Sequence, residues 1–475
     1  MLRLASLLGL AAVSALLAGG CCHPEVSTHR ASTALDRYVA RPDPAYSWQL
    51  VDQQIVEGVR ISFVDLTSQS WLTTNEVNRT LWQHWLVIYT PEQVDHSTAL
   101  LFISGGSNRD GRLPKPSAEL AQAAKATQAV AAELRMVPNQ PLIFGNDGKE
   151  RVEDDLIAYT WDKFLRTGDD RWPARLPMTK AAVRAMDTVT DFAATPKGGS
   201  LKVDRFIVAG GSKRGWTTWT TAIVDPRVVA ICPIVIDMLN LVPSFIHHYR
   251  TYGFYAPAVQ DYVNQGIMDW MDTPEFERLM KIVEPYEYRD RLSLPKLMVN
   301  ACGDQFFLPD SARFYRDDLP GPKYWRYVPN ADHSLKDSDA WETLVAWDHA
   351  ILNRTPLPRF TWLQGDDGAV DLHVTDVPKE VRLWQATNPD ARDFRLETLG
   401  PVWTSTVLEP AAAGHYRAGP AAPAKGWTAF MLELTYDLGA PVPLKVTTQV
   451  WVTPDTLPFA APKPKTRQEL TGHAQ

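Results

Sequence analysis

From residue 82 onward, short apolar runs alternate with stretches in which apolar residues recur every three or four positions. The first pattern is that of buried strands and the second that of amphipathic helices. Strands are expected at residues 85–89, 99–103, 141–144, 206–209, 228–236, 296–301 and 324–328. Most are nearly continuous in Val, Ile, Leu and Phe, as strands covered on both faces must be. Helices are expected between them, over residues 118–135, 179–192, 213–224, 311–317 and 338–352. Strands alternating with helices predict an α/β fold with a mostly parallel sheet.

The pattern changes at both ends and once in the middle. Residues 23–35 read as a tether, and the β-branched and aromatic residues that follow to about 75 read as a β-rich lead-in to a core at 76–355. An insertion at about 238–291 is rich in Tyr, Phe, Trp, Met and His and reads either as a helical lid or as an ordinary helical excursion. Residues 359–456 alternate apolar and polar with Pro and Gly between, which predicts a small antiparallel β-sandwich. The Pro- and Lys-rich tail at 457–475 reads as disordered.

The first 22 residues form a leader: Arg3, an apolar run, then Ala18-Gly19-Gly20 before Cys21 and Cys22. This is the pattern of a secretory signal, too short for a membrane-spanning helix. Leu-Ala-Gly-Gly-Cys21 is also similar to a bacterial lipobox, although Ala18 sits where a lipobox prefers Leu. Two outcomes stay open: plain secretion, or lipidation of Cys21 and attachment to a membrane. Either exports the protein, to the periplasm, the membrane surface or the medium. Cys232 and Cys302 fall in expected central strands and read as buried unpaired thiols, with a disulfide, which export would permit, as the alternative. A net charge of -7 and the lack of a long basic cluster argue against a nucleic-acid partner.

Three loops carry the candidate chemistry. In Phe206-Ile-Val-Ala-Gly-Gly-Ser212-Lys213-Arg214-Gly215-Trp216 a strand runs through glycines into a serine and then a helix. That is the layout of a nucleophile elbow, though Arg214 stands where G-x-S-x-G has its second Gly. In Leu297-Met-Val-Asn-Ala-Cys-Gly-Asp304 a strand ends in a carboxylate, and in Tyr327-Val-Pro-Asn-Ala-Asp-His333 a strand leads to a histidine. The order Ser212, Asp304, His333 is the α/β-hydrolase order, in which the histidine takes the serine proton and the aspartate orients it. Gly105 and Gly106, after an early core strand, and Lys213, after the nucleophile, are the expected oxyanion donors. Arg214 and Trp216 are candidate substrate contacts. Lys213 and Arg214 would favour an anionic substrate if their side chains face the cleft. The acidic run Glu150-Arg-Val-Glu-Asp-Asp155 reads as a solvated helix start, with binding of a cationic group as the alternative. His247 and His248 are adjacent and diverge on a helix, and no H-E-x-x-H or C-x-x-C occurs, so no metal or other cofactor is implied.

The motif Gly-Gly-Ser212-Lys-Arg-Gly-Trp-Thr-Thr-Trp resembles the PhoPQ-activated pathogenicity-related family. So do Ala45-Tyr-Ser-Trp48, Ile157-Ala-Tyr-Thr-Trp-Asp-Lys-Phe-Leu165, Leu176-Pro-Met-Thr-Lys180, Gly303-Asp-Gln-Phe-Phe-Leu-Pro-Asp-Ser311 and Pro329-Asn-Ala-Asp-His333. The similarity runs from about Ala34 to Pro458. It implies an α/β-hydrolase core with a C-terminal β-domain and the triad above. The elbow is also similar to the Ser-Arg-x-Gly elbow of glucuronoyl esterases, with Lys213 and Arg214 shifted by one place. Some eukaryotic relatives are named autocrine proliferation repressors, which implies a signalling role. Two functions are therefore expected to compete: an exported serine hydrolase acting on an ester or amide, and a secreted binding protein on a hydrolase scaffold.

Overall fold

Thr33 is a hydrogen-bonding cap on the first helix, α1 (Ala34–Ala40). The computed structural model describes residues 32–470 apart from 110, 464 and 466–468. The leader and Cys21 lie outside the described residues. From Thr33 on, the chain forms one contact unit.

Nine strands make the hydrolase part of the main sheet: β1 (Ser47–Val56), β2 (Val59–Ser70), β3 (Leu81–Pro91), β4 (Thr98–Ile103), β5 (Ala131–Leu134), β6 (Arg205–Gly211), β7 (Val228–Ile234), β8 (Lys296–Ala301) and β9 (Lys323–Val328). Their spatial order is β1-β2-β3-β5-β4-β6-β7-β8-β9. β1, β2 and β3 form an antiparallel meander, β3 is antiparallel to β5, and all neighbours from β5 to β9 are parallel. Eight strands starting at β2, with the second reversed and the third and fourth exchanged in order, make the α/β-hydrolase arrangement. Phe206, Ile207, Val208 and Ala209 are wholly buried, because helices cover both sides of β6. The flanking helices are α2 (Ala118–Thr127), α3 (Glu153–Thr167), α4 (Arg175–Ala194) and α5 (Lys213–Val224).

The helix expected at 311–317 is a single 3-10 turn, Ser311–Phe314, and two other local expectations change. The helix expected to reach residue 135 stops at Thr127, where Gln128 turns left-handed at φ 50°. The next residues form β5, where Ala131 and Ala132 are buried between β3 and β4. Small residues fit that crowded position, and sheet pairing overrides their helical preference. Residues 141–144, expected as a strand, make only isolated bridges, Val77 with Phe144 and Leu142 with Arg151. Pro141 has no N–H to give a ladder.

The insertion between β7 and β8 is helical: α6 (Leu241–Tyr252), α7 (Gln260–Asn264) and α8 (Pro274–Val283), joined by short 3-10 turns. After α9 (Ala340–Leu352) the chain becomes all-β. Strands β10 (Phe360–Gln364), β11 (Val370–Val374) and β14 (His415–Ala418) form a three-stranded sheet. Strands β12 (Glu380–Asn388), β13 (Thr404–Val407), β15 (Trp427–Tyr436), β16 (Leu444–Thr447) and β17 (Trp451–Thr453) form the opposing layer. Val370, Leu372 and Tyr416 share a core cluster with Leu432, Leu434 and Val446, so the inward faces of the two layers pack together. The larger layer is continuous with the hydrolase sheet, because β16 pairs with β9 at Thr447 and Trp325. A side-chain bond from the Tyr327 amide to Thr447 Oγ1, 3.1 Å, reinforces the seam.

Candidate active site

The C-terminal ends of β4, β6, β7, β8 and β9 share one edge of the sheet, where Ile103 pairs with Gly210, Gly210 with Pro233, and Ala301 with Val328. Ser212 sits there between β6 and α5 with φ 57° and ψ -126°, a strained conformation for a residue with a side chain. The turn is held because the Ser212 amide donates to Ile234 O at 2.8 Å and its carbonyl accepts from the Trp216 amide at 3.0 Å. The elbow's glycines are steric requirements. A Cβ on Gly210 would lie 2.9 Å from Arg214 O and 3.0 Å from Ile103 O. One on Gly215 would lie 2.9 Å from Gly210 O and 3.0 Å from Ile234 O. The close approach of helix to sheet thus falls three residues after the serine, which is why position 214 can carry an arginine.

Asp304 and His333 meet in the loops beyond β8 and β9. Asp304 Oδ2 is 2.7 Å from His333 Nδ1, while Oδ1 accepts the amides of Phe306 at 2.7 Å and Phe307 at 3.3 Å. Two amides and the imidazole thereby fix a carboxylate that is only 4% exposed. Phe306 lies against the imidazole with ring centres 4.3 Å apart, and the His333 amide donates to Gln305 Oε1 at 3.0 Å. No hydrogen bond joins Ser212 Oγ to His333 among the described residues. Such bonds are often long before substrate binds. Phe306 and Phe307, which touch His333, line the same cavity as Ser212.

That cavity is narrow, about 30 Å³, or room for about two waters. Met238, Leu241, Phe245 and Phe276 of the insertion line one side, and Trp161 and Trp216 another. Trp216 is held by donation from Nε1 to Val283 O at 2.5 Å and by the Arg175 guanidinium 4.3 Å above its ring. It lines the cavity as an apolar wall.

The basic side chains beside Ser212 are already paired. Lys213 Nζ lies 2.8 Å from Glu153 Oε2 and 3.0 Å from Asp154 Oδ2. Arg214 forms a two-pronged pair with Glu153 at 2.6 and 2.8 Å and donates from Nε to Val137 O at 2.5 Å. Lys213 and Arg214 hold Glu153 ionised down to about pH 2, despite burial. With their charge neutralised, Lys213 and Arg214 lose the attraction for an anionic substrate that their sequence positions suggested. Arg214 instead lies against the loop after β4, where a Cβ on Gly105 would fall 2.7 Å from its guanidinium. The Gly105 carbonyl accepts the Met136 amide at 2.9 Å, and Gly106 has φ 137°.

Glu153, Asp154, Gln140 and Arg175 were not among the expected site residues. The run at 150–155 reads as solvated because its charges are adjacent in sequence, whereas their partners are about 60 residues away. Asp237 was also missed. Burial pushes its carboxyl up to about 7, against hydrogen bonds from Tyr315 OH at 2.5 Å and Tyr327 OH at 2.6 Å, and the nearby charges of Asp304 and Asp310 add to the shift. Cys232 and Cys302 are buried free thiols.

Comparison with known proteins adds family to geometry. The family model described as PhoPQ-activated pathogenicity-related protein matches residues 35–395. Autocrine proliferation repressor protein A of Dictyostelium discoideum is 37% identical over 459 residues, covering 90% of this chain and 92% of that protein. Among solved structures, acetyl xylan esterase 1 from Thermoanaerobacterium sp. JW/SL YS485 aligns at 15% identity and TM-score 0.47, over 67% of this chain and 92% of its own. A glucuronoyl esterase from Solibacter usitatus aligns at 15% identity and TM-score 0.37, over 67% and 91%. The strand order and elbow define the fold independently of these two. From the match over residues 35–395 and the 37% identity along nine-tenths of its length, the chain belongs to the PhoPQ-activated pathogenicity-related protein family.

Proposed function

We propose that this protein is an exported serine hydrolase that cleaves an ester or amide through an acyl-enzyme. The observation that carries the reading is the strained Ser212 backbone, φ 57° and ψ -126°, at the strand-to-helix turn of a hydrolase sheet. Such a conformation costs energy at a serine and persists only where the surrounding structure imposes it. In this reading Ser212 Oγ attacks the substrate carbonyl, and His333 Nε2 takes its proton. Asp304 holds the Nδ1–H and stabilises the imidazolium. The amides of Lys213 and of the Gly105–Gly106 turn receive the oxyanion. His333 then returns the proton to the leaving group, and water releases the acyl group by the reverse path. The apolar cavity wall and the paired state of Lys213 and Arg214 favour an uncharged acyl or alcohol group at Ser212. The leader supports export, with attachment through Cys21 as the membrane-bound form.

The test is labelling of the purified mature protein with a fluorophosphonate, beside Ser212→Ala and His333→Ala. Labelling of the wild type and its loss in both variants is expected. A folded wild type that stays unlabelled would sink the reading. The name of the 37%-identical relative favours a second one, a secreted growth-regulating factor on a hydrolase scaffold. That reading predicts a biological effect that survives Ser212→Ala.

A further inference from the structure

Four donors converge on the Glu153 carboxylate. Oε1 accepts from Arg214 Nη2 at 2.6 Å and from Gln140 Nε2 at 2.5 Å. Oε2 accepts from Arg214 Nη1 at 2.8 Å and faces Lys213 Nζ at 2.8 Å. An ionised carboxylate has about four lone-pair directions, and here all are used. The donors come from two separate places. Lys213 and Arg214 begin α5, directly after Ser212. Gln140 belongs to the loop between β5 and α3, and its Nε2 also reaches Gly106 O at 3.3 Å. Gln140 Oε1 in turn accepts the Glu153 amide at 2.7 Å. Glu153 is itself held at φ 51°, a left-handed conformation that a side-chain residue adopts only when its surroundings impose it.

We infer that Glu153, acting through Gln140, is a positioning residue that sets the distance between the two halves of the oxyanion hole. One half is the Lys213 amide, and the other is the Gly105–Gly106 turn. Each belongs to a separate loop, and among the described residues no backbone hydrogen bond joins the two: Gly105 O accepts from Met136. The Glu153 carboxylate spans them, gripping the elbow by two cationic side chains and the glycine turn by one amide. Arg175 adds a lock from below by donating to Lys213 O at 2.9 Å, which fixes the peptide following the oxyanion donor. The inference rests on the serine hydrolase reading above. It extends that reading to residues that touch neither the serine nor the imidazole.

The experiment uses steady-state hydrolysis of a p-nitrophenyl ester and the rate of fluorophosphonate labelling. Three proteins are compared: wild type, Glu153→Gln and Gln140→Met. The methionine keeps the volume of Gln140 and leaves the ion pairs intact, so it guards against a simple folding defect in Glu153→Gln. Thermal melts establish that each protein is folded. An ångström of misplacement costs about a hundredfold in rate. The expected result is a kcat and a labelling rate lower by about tenfold to a hundredfold in both variants, with KM within about twofold of wild type. Folded variants with wild-type kcat, or losses confined to KM, would overturn the positioning role alone. A folded wild type that neither hydrolyses ester nor takes the label overturns the hydrolase reading and this inference with it.

Discussion

At residue scale, the site consists of side chains whose neighbours leave them one conformation. Gly215 illustrates this most directly. Adding a methyl group would press on the carbonyls of Gly210 and Ile234, at 2.9 and 3.0 Å, which are backbone and cannot rotate away. Gly215→Ala is expected to destabilise the protein by about 1–3 kcal/mol, the usual range for overpacking, and to slow fluorophosphonate labelling. Chemical denaturation measures the first effect and labelling kinetics the second. Asp237 makes a prediction about pH. The folded protein keeps its proton up to about pH 7, while the unfolded chain gives it up near pH 4. Between those limits the unfolded state binds fewer protons, so this group's contribution to stability falls as pH rises. Asp237→Asn removes that slope. Melting temperatures followed from about pH 4.5 to 7.5 should shift progressively in the variant's favour relative to wild type. A difference independent of pH would show that the carboxyl is ionised in the fold.

At the scale of elements, the insertion at 238–291 has the clearest consequence. Its apolar side chains line the cavity that Ser212 also lines, so the cavity depends on how firmly these helices are seated. The Thr273 hydroxyl caps α8 by accepting from the Phe276 amide at 3.2 Å. Thr273→Ala should cost about 1 kcal/mol, as lost caps generally do, and should loosen Phe276 at the cavity wall. Urea melts report the first effect, and a change in KM for long-chain against short-chain esters reports the second. The residues of this insertion read as a lid or as an ordinary excursion, because an apolar helix face says only that something covers it. That Met238, Leu241, Phe245 and Phe276 share a cavity with Ser212 follows only from the packed chain.

For the whole molecule, the larger C-terminal β-layer and the hydrolase core share one sheet. Arg326 of β9 is buried with Glu433 of β15, to which it hydrogen-bonds, and also pairs with Asp339 at 2.8 Å. Glu433→Ala would leave a buried guanidinium short of its partner and is expected to cost about 3–5 kcal/mol, far more than a surface pair. If the two parts were separate bodies, the core would melt unchanged. A single shared transition shifted to lower temperature, seen by scanning calorimetry, is the expected result.

Much of this was determined by the sequence alone. Buried parallel strands need unbroken apolar runs, and a tight strand-to-helix turn needs small residues, so the α/β pattern and the order Ser212, Asp304, His333 are visible in one dimension. Residues 359–456 alternate with period two, so the β-strands of the C-terminal region were legible for the same reason. Relations between distant segments were not legible in the sequence and arise only in the folded chain. The short β5 lies in an Ala-rich run whose local preference is helical, and only the space between β3 and β4 makes it a strand. The continuity of β16 with β9 depends on a pairing across about 120 residues. The neutralisation of Lys213 and Arg214 by Glu153 and Asp154, with Gln140 joining them to Gly106, leaves no local periodicity. Charge pairing depends on separation in space, and nothing in the neighbouring residues encodes that distance.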